Sequence, residues 1–107
     1  MSRTPEYLAA KRFHTELELT AGFSPQVLQA GVLIALYEYG HAIYPAAYLT
    51  IGGLARYGIS SGIDGTGPSQ MSPPSDWIEA EERKRIWWAV LILDRKVLVY
   101  LSNTLAN

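Results

Sequence analysis

The longest apolar run in the chain covers residues 86–93 and follows directly after a block of charged residues. It contains the adjacent pair Trp87 and Trp88 and stops at Asp94 and Arg95. Each indole has a large apolar body to bury, so we interpret this run as the buried face of a helix and the marker of the core. A membrane span needs about 20 predominantly apolar residues. This run ends after eight residues, so burial inside the protein is a better interpretation than a membrane span.

Capping and stopping signals divide the rest of the chain into helices. Thr4 and Ser24 are hydroxyl residues that each precede a proline, a pair typical of the start of a helix. They predict helices over about residues 5–21 and 25–39. The second helix is apolar almost all round and is expected to be central. Gly40 is expected to end it in a left-handed conformation.

A third helix is predicted over about residues 45–57, with Pro45 at its start and Gly58 at its end. Only about four residues separate it from the second helix, so the two are expected to form an antiparallel hairpin. Gly52 and Gly53 weaken the third helix by about 1 kcal/mol each relative to alanine. We interpret them as bare backbone that lets another helix approach closely.

Residues 60–75 are rich in glycine, serine and proline and predict a long, flexible surface loop. A long, tryptophan-rich C-terminal helix is predicted over about residues 77–103. Ser75 or Asp76 would cap it, and Glu79 would complete a capping box. No strand pattern competes with the helical one. The prediction is an all-α chain of about four helices.

Charged residues fill the first turns of the fourth helix. Glu79 and Arg83 stand four positions apart, as do Glu81 and Arg85, with the acid first, which favours ion pairs. Together with Glu82, they are interpreted as a self-paired, solvated helix face. Contact between these basic residues and nucleic acid is the weaker alternative.

The charged pair that ends the apolar run is expected to need a partner, because an unpaired buried charge costs several kcal/mol. We expect Asp94 and Arg95 to form a salt bridge to the second or third helix, with Arg56 as the preferred partner. An effector-binding role is the alternative.

No arrangement of residues predicts a catalytic site, a metal site or a cofactor. His14 and Glu18 are four positions apart, but one such pair falls far short of a metal site. They are interpreted as surface polar residues. His41 is interpreted as a cap on the C-terminus of the second helix. The glycine-rich residues 62–67 match no complete phosphate-binding fingerprint. The chain is expected not to be an enzyme.

Composition narrows the function classes further. Apolar residues make up 49% of the 107 residues, which favours a globular chain. A net charge of −1 lacks the basic excess that binding to a phosphate backbone needs, so direct DNA binding is not expected. The absence of cysteine excludes disulfides, thiolate metal sites and a cysteine nucleophile, and fits an intracellular compartment.

Two stretches of the sequence carry a family resemblance. A leucine-rich helix ending in tyrosine and glycine precedes a glycine-containing helix, and residues 81–95 follow the pattern E-E-R-R-R-x-W-W-x-x-x-x-x-D-R, with one lysine for arginine. With these features the chain resembles the fungal-specific transcription factor domain, the middle homology region of fungal zinc binuclear-cluster transcription factors. The resemblance covers about residues 26–95. The residues that fill the pattern are Gly52 or Gly53, Ala55, Arg56, Gly58, Glu81, Glu82, Arg83, Lys84, Arg85, Trp87, Trp88, Asp94 and Arg95.

The resemblance implies a nuclear regulatory module that modulates transcription by RNA polymerase II. Such a module would contact other domains, a protein partner, a second copy or a small-molecule effector, and not a membrane. The family's DNA-binding zinc cluster needs six cysteines, so DNA contact is expected only through a domain outside this chain. The family domain is also longer. We therefore expect a single partial domain, residues 1–107, as a fragment of a larger α-helical regulatory domain whose exposed apolar surface favours docking. The residues expected to serve structure or interaction are Arg56, Glu81, Glu82, Arg83, Arg85, Trp87, Trp88, Asp94 and Arg95.

Two other functions stay open. One is a tetratricopeptide-like scaffold, because Tyr37, Gly40, Tyr44 and Ala47 partly match that repeat's sequence pattern. Only one helical hairpin is predicted, however, and about three repeats are needed for stability. A small-molecule sensor with a pocket lined by the paired tryptophans and by tyrosines is the other alternative.

Overall fold

The computed structural model describes residues 4–20, 22–63, 65 and 69–106, without the side chains of residues 105 and 106. This part of the chain contains four helices and no strand, which confirms the all-α prediction. The helices are α1 (Pro5–Thr20), α2 (Pro25–Gly40), α3 (Tyr44–Ser61) and α4 (Trp77–Ala106).

The predicted capping residues begin three of the helices. Thr4 Oγ1 accepts a hydrogen bond from the Tyr7 amide at 3.2 Å, and Ser24 Oγ accepts one from the Gln26 amide at 3.1 Å. At α4, Asp76 Oδ1 accepts from the Glu79 amide at 2.8 Å. The carboxylate of Glu79 turns back to the amide of Ser75, also at 2.8 Å, so Ser75 and Asp76 divide the capping box between them.

Two glycines predicted to stop helices in a left-handed conformation do not do so. Gly40 is the last residue of α2, which ends about where it was predicted to end, but the left-handed residue is Ala42, with φ of 59°. Gly58 lies inside α3, which continues to Ser61 and stops where Gly62 takes φ of 82°. In both places two amides fold back onto the last carbonyls. Ile43 N bonds Glu38 O at 2.8 Å, and Ile63 N bonds Gly58 O at 3.2 Å. Both ends are therefore Schellman motifs.

The core lies between α2, α3 and α4, which pack against one another, whereas α1 packs against α2. The helices α3 and α4 each bury one row of residues in this core. The helix α2 is central as predicted, because it contacts the other three helices. Its surface is not buried all round, since Leu33 and Leu36 are exposed. The buried core residues are Leu28, Val32, Ala35, Ala47, Ile51, Leu54, Met71, Val90, Leu93 and Val97.

One core residue comes from the predicted surface loop. Met71 is buried and belongs to the core cluster. The preceding residue, Gln70, donates its amide to Ser61 O at 2.7 Å. The segment before α4 is thus attached to the fold through the Gln70 amide and the buried Met71 side chain. Its composition indicated a loop correctly but gave no sign that one side chain would be buried.

Candidate interaction surfaces

A buried polar cluster fastens α1 to the rest of the fold. Glu38 of α2 has no exposed surface. Its Oε2 accepts hydrogen bonds from the Tyr7 hydroxyl and from Lys11 Nζ, and Lys11 Nζ also donates to Thr50 Oγ1 at 2.7 Å. Glu38 Oε1 is buried and has no hydrogen-bond partner among the described residues. This cluster could not be predicted from the sequence, because nothing in an acid near the end of a helix signals that it will be buried.

His14 belongs to the same interface and is not the surface residue that was expected. It is buried, and its Nε2 lies 2.8 Å from Val27 O, which requires the ring nitrogen to be the donor. Its Nδ1 is 3.5 Å from Glu18 Oε1. No group of three or more potential metal ligands occurs in the described part of the chain. His14 therefore joins α1 to α2 through the Val27 carbonyl.

Gly31, which the sequence analysis did not single out, allows helices to approach closely. A Cβ on Gly31 would lie 2.3 Å from Leu54 Cδ2 and 2.9 Å from His14 Nε2. Gly53, by contrast, has nothing within 4 Å of the corresponding position, and Gly52 has only the Arg56 side chain, at 3.7 Å. The predicted close approach at the paired glycines was therefore wrong. Bare backbone is needed where a neighbouring helix arrives, and sequence alone does not show where that happens.

The paired tryptophans face in different directions. Trp87 packs against the core and lies over Gly58, whereas Trp88 is 63% exposed. Successive helical residues are about 100° apart and do not face the same neighbour. The interpretation that both indoles belong to the buried face was therefore wrong. A pocket lined by both is also excluded by this geometry, because the ring of Trp87 fills the space above Gly58.

The charge block is only partly paired as expected. Arg83 Nη2 donates to Glu79 Oε1 at 3.2 Å, which confirms that pair. Glu81 instead accepts from Lys84 Nζ at 3.3 Å, which leaves Arg85 exposed. A spacing of three serves as well as one of four on a helix, so spacing alone did not identify the partner. Glu82, the remaining acid of the block, is also exposed.

The predicted salt bridge at the end of the apolar run is not formed. Among the described residues, neither Asp94 nor Arg95 has an oppositely charged atom within 4.0 Å. Asp94 and Arg56 line the same depression, of about 250 Å³, between α3 and α4. Asp94 is only partly buried and Arg56 is exposed, so water can solvate both charges. A charge at the edge of a helix face needs no protein partner.

Exposed residues of α4 form a continuous row on its outer side, which we call the outer stripe: Arg85, Trp88, Ile92, Arg95 and Val99. Their spacing of three and four residues places them on one helix face. Trp88, Ile92 and Val99 are between 52% and 63% exposed. The outer stripe alternates large apolar side chains with two arginines. An apolar row of this kind on a folded surface is typical of an interaction site.

The family now follows from comparison with known proteins. The sequence model of the family described as "Fungal specific transcription factor domain" matches residues 4–105, which is nearly the whole chain. The chain belongs to this family. The resemblance inferred from the charge block and the paired tryptophans is thereby confirmed.

Two curated relatives carry names from the same functional class. This fungal-specific transcription factor domain is 41% identical to "Transcription factor BOA15" of Botryotinia fuckeliana over 80 residues, which cover 74% of this chain and 45% of the relative. It is 33% identical to "Pigment biosynthesis transcriptional activator pigB" of Monascus ruber over 100 residues, covering 83% of this chain and 18% of that protein. The chain thus spans less than half the length of either relative. No solved structure gives a significant match.

A cleft between α1, α2 and α3 is the second concave feature of this transcription factor domain. It has a volume of about 290 Å³. Its polar lining includes Lys11, His14, Glu18 and Thr50, and Leu49 contributes apolar surface. The cleft thus adjoins the groups that fasten α1.

The end of α2 beside this cluster is capped as expected. His41 Nδ1 donates to Tyr37 O at 2.9 Å, and its ring stacks on that of Tyr37 with centroids 4.0 Å apart. The Tyr37 ring in turn stacks on Tyr7 of α1, 5.0 Å away. None of the helices in the described residues is long and apolar enough to cross a membrane.

Proposed function

We propose that this chain is a transcription-regulatory module that acts in the nucleus by binding a protein segment through the outer stripe of α4. The observation that carries the proposal is the exposure of Trp88, at 63%, on a row that continues through Ile92 and Val99. Tryptophan is one of the residues enriched among the energetically dominant positions at the centres of protein interfaces. Membership of a transcription factor family supplies the regulatory context.

The charges of the outer stripe select the chemistry of its partner. Arg85 and Arg95 flank the apolar residues and are both exposed. A segment that alternates acidic and apolar residues would complement them, and this composition is typical of disordered activation segments. One of the relatives is named a transcriptional activator. We infer that the domain modulates transcription by RNA polymerase II through such a segment, without enzymatic activity and without a DNA contact of its own.

The binding experiment uses the full chain and a fluorescently labelled peptide of alternating acidic and apolar residues. Trp88→Ser and Arg95→Glu are each expected to weaken binding at least about tenfold, as loss of one interface anchor does. Leu19→Ser and Arg12→Glu are matched controls on α1, because both residues are exposed there. A peptide with lysine in place of its acids should not bind. Equal losses from the α1 and α4 variants would contradict the proposal.

A reporter in fungal cells tests the regulatory half of the proposal. The chain is fused to an unrelated DNA-binding domain that also carries the acidic, apolar segment. Reporter output should differ from that of the same fusion without the chain, and Trp88→Ser should abolish the difference. No effect of the unaltered chain would contradict regulation even if the peptide binds. A mobility shift of the isolated chain at low salt should detect no sequence-selective DNA binding.

The cleft beside α1 favours a second function, binding of a small polar effector. Lys11, His14, Glu18 and Thr50 offer both donors and acceptors around a volume of about 290 Å³. Thermal unfolding across a metabolite panel tests this function. A ligand that binds only the folded state raises the melting temperature by an amount that grows with the logarithm of its concentration over Kd. Thr50→Val should remove the increase, and no stabilising metabolite would argue against the effector site.

A further inference from the structure

Ser72 differs from the other hydroxyl residues that precede a proline. Three serine or threonine residues of the sequence precede a proline, namely Thr4, Ser24 and Ser72. The hydroxyls of Thr4 and Ser24 cap the amides of α1 and α2. Ser72 is exposed, and its hydroxyl bonds none of the residues that the structure describes. Of the three hydroxyls, that of Ser72 is therefore available for chemistry from solvent.

The backbone around Ser72 suits binding in an extended groove of an enzyme. Pro73 and Pro74 follow it, and a residue before proline is held in an extended conformation. Met71 before it is buried in the core, which fixes where the segment leaves the protein surface. The segment is exposed from Ser72 to Asp76. An extended, exposed serine-proline sequence is the substrate form of proline-directed protein kinases.

Arg83 lies beside Ser72 with donor capacity to spare. Its Nη2 donates to Ser72 O at 2.7 Å and to Glu79 Oε1 at 3.2 Å. Its Nε is buried and has no partner in the described part of the chain. The Ser72 hydroxyl oxygen is four bonds from the carbonyl oxygen that Arg83 already contacts. A phosphate on that hydroxyl is thus within reach of the guanidinium, whose fork of donors fits phosphate oxygens.

We propose that Ser72 is a phosphorylation site for a proline-directed protein kinase, and that Arg83 binds the resulting phosphate. The kinase transfers the γ-phosphoryl group of ATP. A bond forms between the γ-phosphorus and Ser72 Oγ, the bond from that phosphorus to the bridging oxygen of ADP breaks, and the hydroxyl proton passes to the kinase base and then to solvent. No oxidant or metal cofactor of this chain takes part.

The consequence is a charge-assisted tie between the segment before α4 and α4 itself. The phosphate carries about −1.5 to −2 charges at neutral pH and competes with Glu79 for Arg83. The tie spans from Ser72 to a residue two turns into α4. Phosphorylation is thus expected to stabilise the start of α4, the helix that carries the outer stripe. This expectation does not depend on what the outer stripe binds.

The first test is phosphoryl transfer to the folded chain by a proline-directed kinase with ATP, followed by mass spectrometry of peptides. Incorporation is expected at Ser72 and is lost in Ser72→Ala, whereas Ser24→Ala retains it. A synthetic peptide of residues 69–76 is the reference substrate. Modification of the peptide but not of the folded chain overturns the site, and failure of both overturns it as well.

The second test measures how Arg83 interacts with the phosphate. Phosphoserine is installed at position 72 by suppression of a stop codon, and the phosphate is titrated by phosphorus NMR. Its titration midpoint should lie about one pH unit below that of the peptide, since an adjacent guanidinium favours the dianion. Arg83→Gln should restore the peptide value, Arg83→Lys should restore it in part, and Arg85→Gln should leave the shift intact. Equal midpoints with and without Arg83 overturn its role.

Discussion

The indole of Trp87 lies so close to Gly58 that a Cβ on that glycine would be 2.2 Å from Trp87 Cζ3. Gly58 lies inside α3 and Trp87 lies in the third turn of α4, so their contact sets how closely the two helices approach. A glycine inside a helix weakens it by about 1 kcal/mol relative to alanine. Here the missing side chain makes room for an aromatic ring in the core.

Alanine at Gly58 is therefore expected to lower the free energy of unfolding by about 1–3 kcal/mol, because overpacking outweighs the gain in helix propensity. Gly53→Ala is the matched control in the same helix, since nothing lies within 4 Å of its added methyl group. It should raise the free energy of unfolding by about 1 kcal/mol. Urea unfolding followed by circular dichroism measures both. Equal stabilities for the two variants would disprove the contact.

Local signals in the sequence identified the helices but not what they bury. A hydroxyl before proline at Thr4 and at Ser24 determines a helix start through bonds to amides two or three residues away, so the starts could be predicted. The roles of Gly31 and Gly58 depend on side chains of other helices, among them Leu54 and Trp87, which are distant in sequence. Such distant contacts leave no periodic trace. Gly52 and Gly53 were predicted to lie against a neighbouring helix, yet they meet none, although Gly58 on the same helix does.

In the candidate site, too, local features could be predicted from the sequence and contacts between distant residues could not. The apolar run containing Trp88 could be recognised from the sequence, but which of two adjacent indoles faces the core depends on the rotation of α4 about its axis. Burial of Glu38 depends on Tyr7 and Lys11 of another helix. Charges near a helix end are solvated in most proteins, so the sequence favours the wrong environment for Glu38. Interaction roles of the remaining charged residues of α4 stay predictions.

Ala42 and Gly62 occupy the same position in two Schellman motifs, with φ of 59° and 82°. The left-handed conformation costs about 1–2 kcal/mol for a residue with a Cβ, whereas glycine adopts it freely. Ala42→Gly is expected to raise the free energy of unfolding by about 0.5–1 kcal/mol, after allowing for glycine's greater freedom in the unfolded chain. Gly62→Ala should lower it by about 1 kcal/mol. Thermal unfolding of both variants checks the sign, and a destabilising Ala42→Gly would contradict the assignment.

Lys11 is the cation that balances the buried carboxylate of Glu38. Lys11→Met leaves that charge with the Tyr7 hydroxyl as its remaining donor among the contacts described above. We expect a loss of about 2–3 kcal/mol, below that of a fully buried pair, because the Lys11 side chain is 33% exposed. The double variant Lys11→Met with Glu38→Gln should be more stable than Lys11→Met alone, since it removes the unpaired charge. Chemical unfolding of both variants measures this.

Amide hydrogen exchange locates the loss. The polar cluster joins α1 to α2 and α3, so Lys11→Met should raise exchange rates in α1 more than in the core of α3. Thr20→Ala is the control, because among the described residues its hydroxyl bonds only the Glu16 carbonyl of its own helix, at 2.7 Å. A uniform increase across all four helices would mean that Glu38 contributes to global stability without specifically holding α1.

Glu79 makes the start of α4 sensitive to acid. Hydrogen bonds from the Ser75 hydroxyl and amide, and then the nearby charge of Arg83, lower the pKa of Glu79 from its ordinary value of 4.5. A carboxyl with a lower pKa in the folded chain favours folding in its ionised form. Its contribution is therefore fully present above about pH 4.5 and is lost as the pH falls through the lower, folded-state value. Titration of the Glu79 carboxyl by carbon NMR should give a midpoint below that of an unfolded peptide.

Ser75→Ala separates the causes of this shift. The variant removes the hydroxyl donor at 2.7 Å and keeps the amide donor at 2.8 Å, so the midpoint should move part of the way back towards 4.5. Stability relative to the unaltered chain should then be reduced at neutral pH, with the difference shrinking as the pH falls below the folded-state pKa of Glu79. Ser72→Ala is the matched control in the same segment, because its hydroxyl does not contact Glu79. A stability difference for Ser75→Ala that stays constant with pH would show that the serine acts on the backbone and not through the carboxylate.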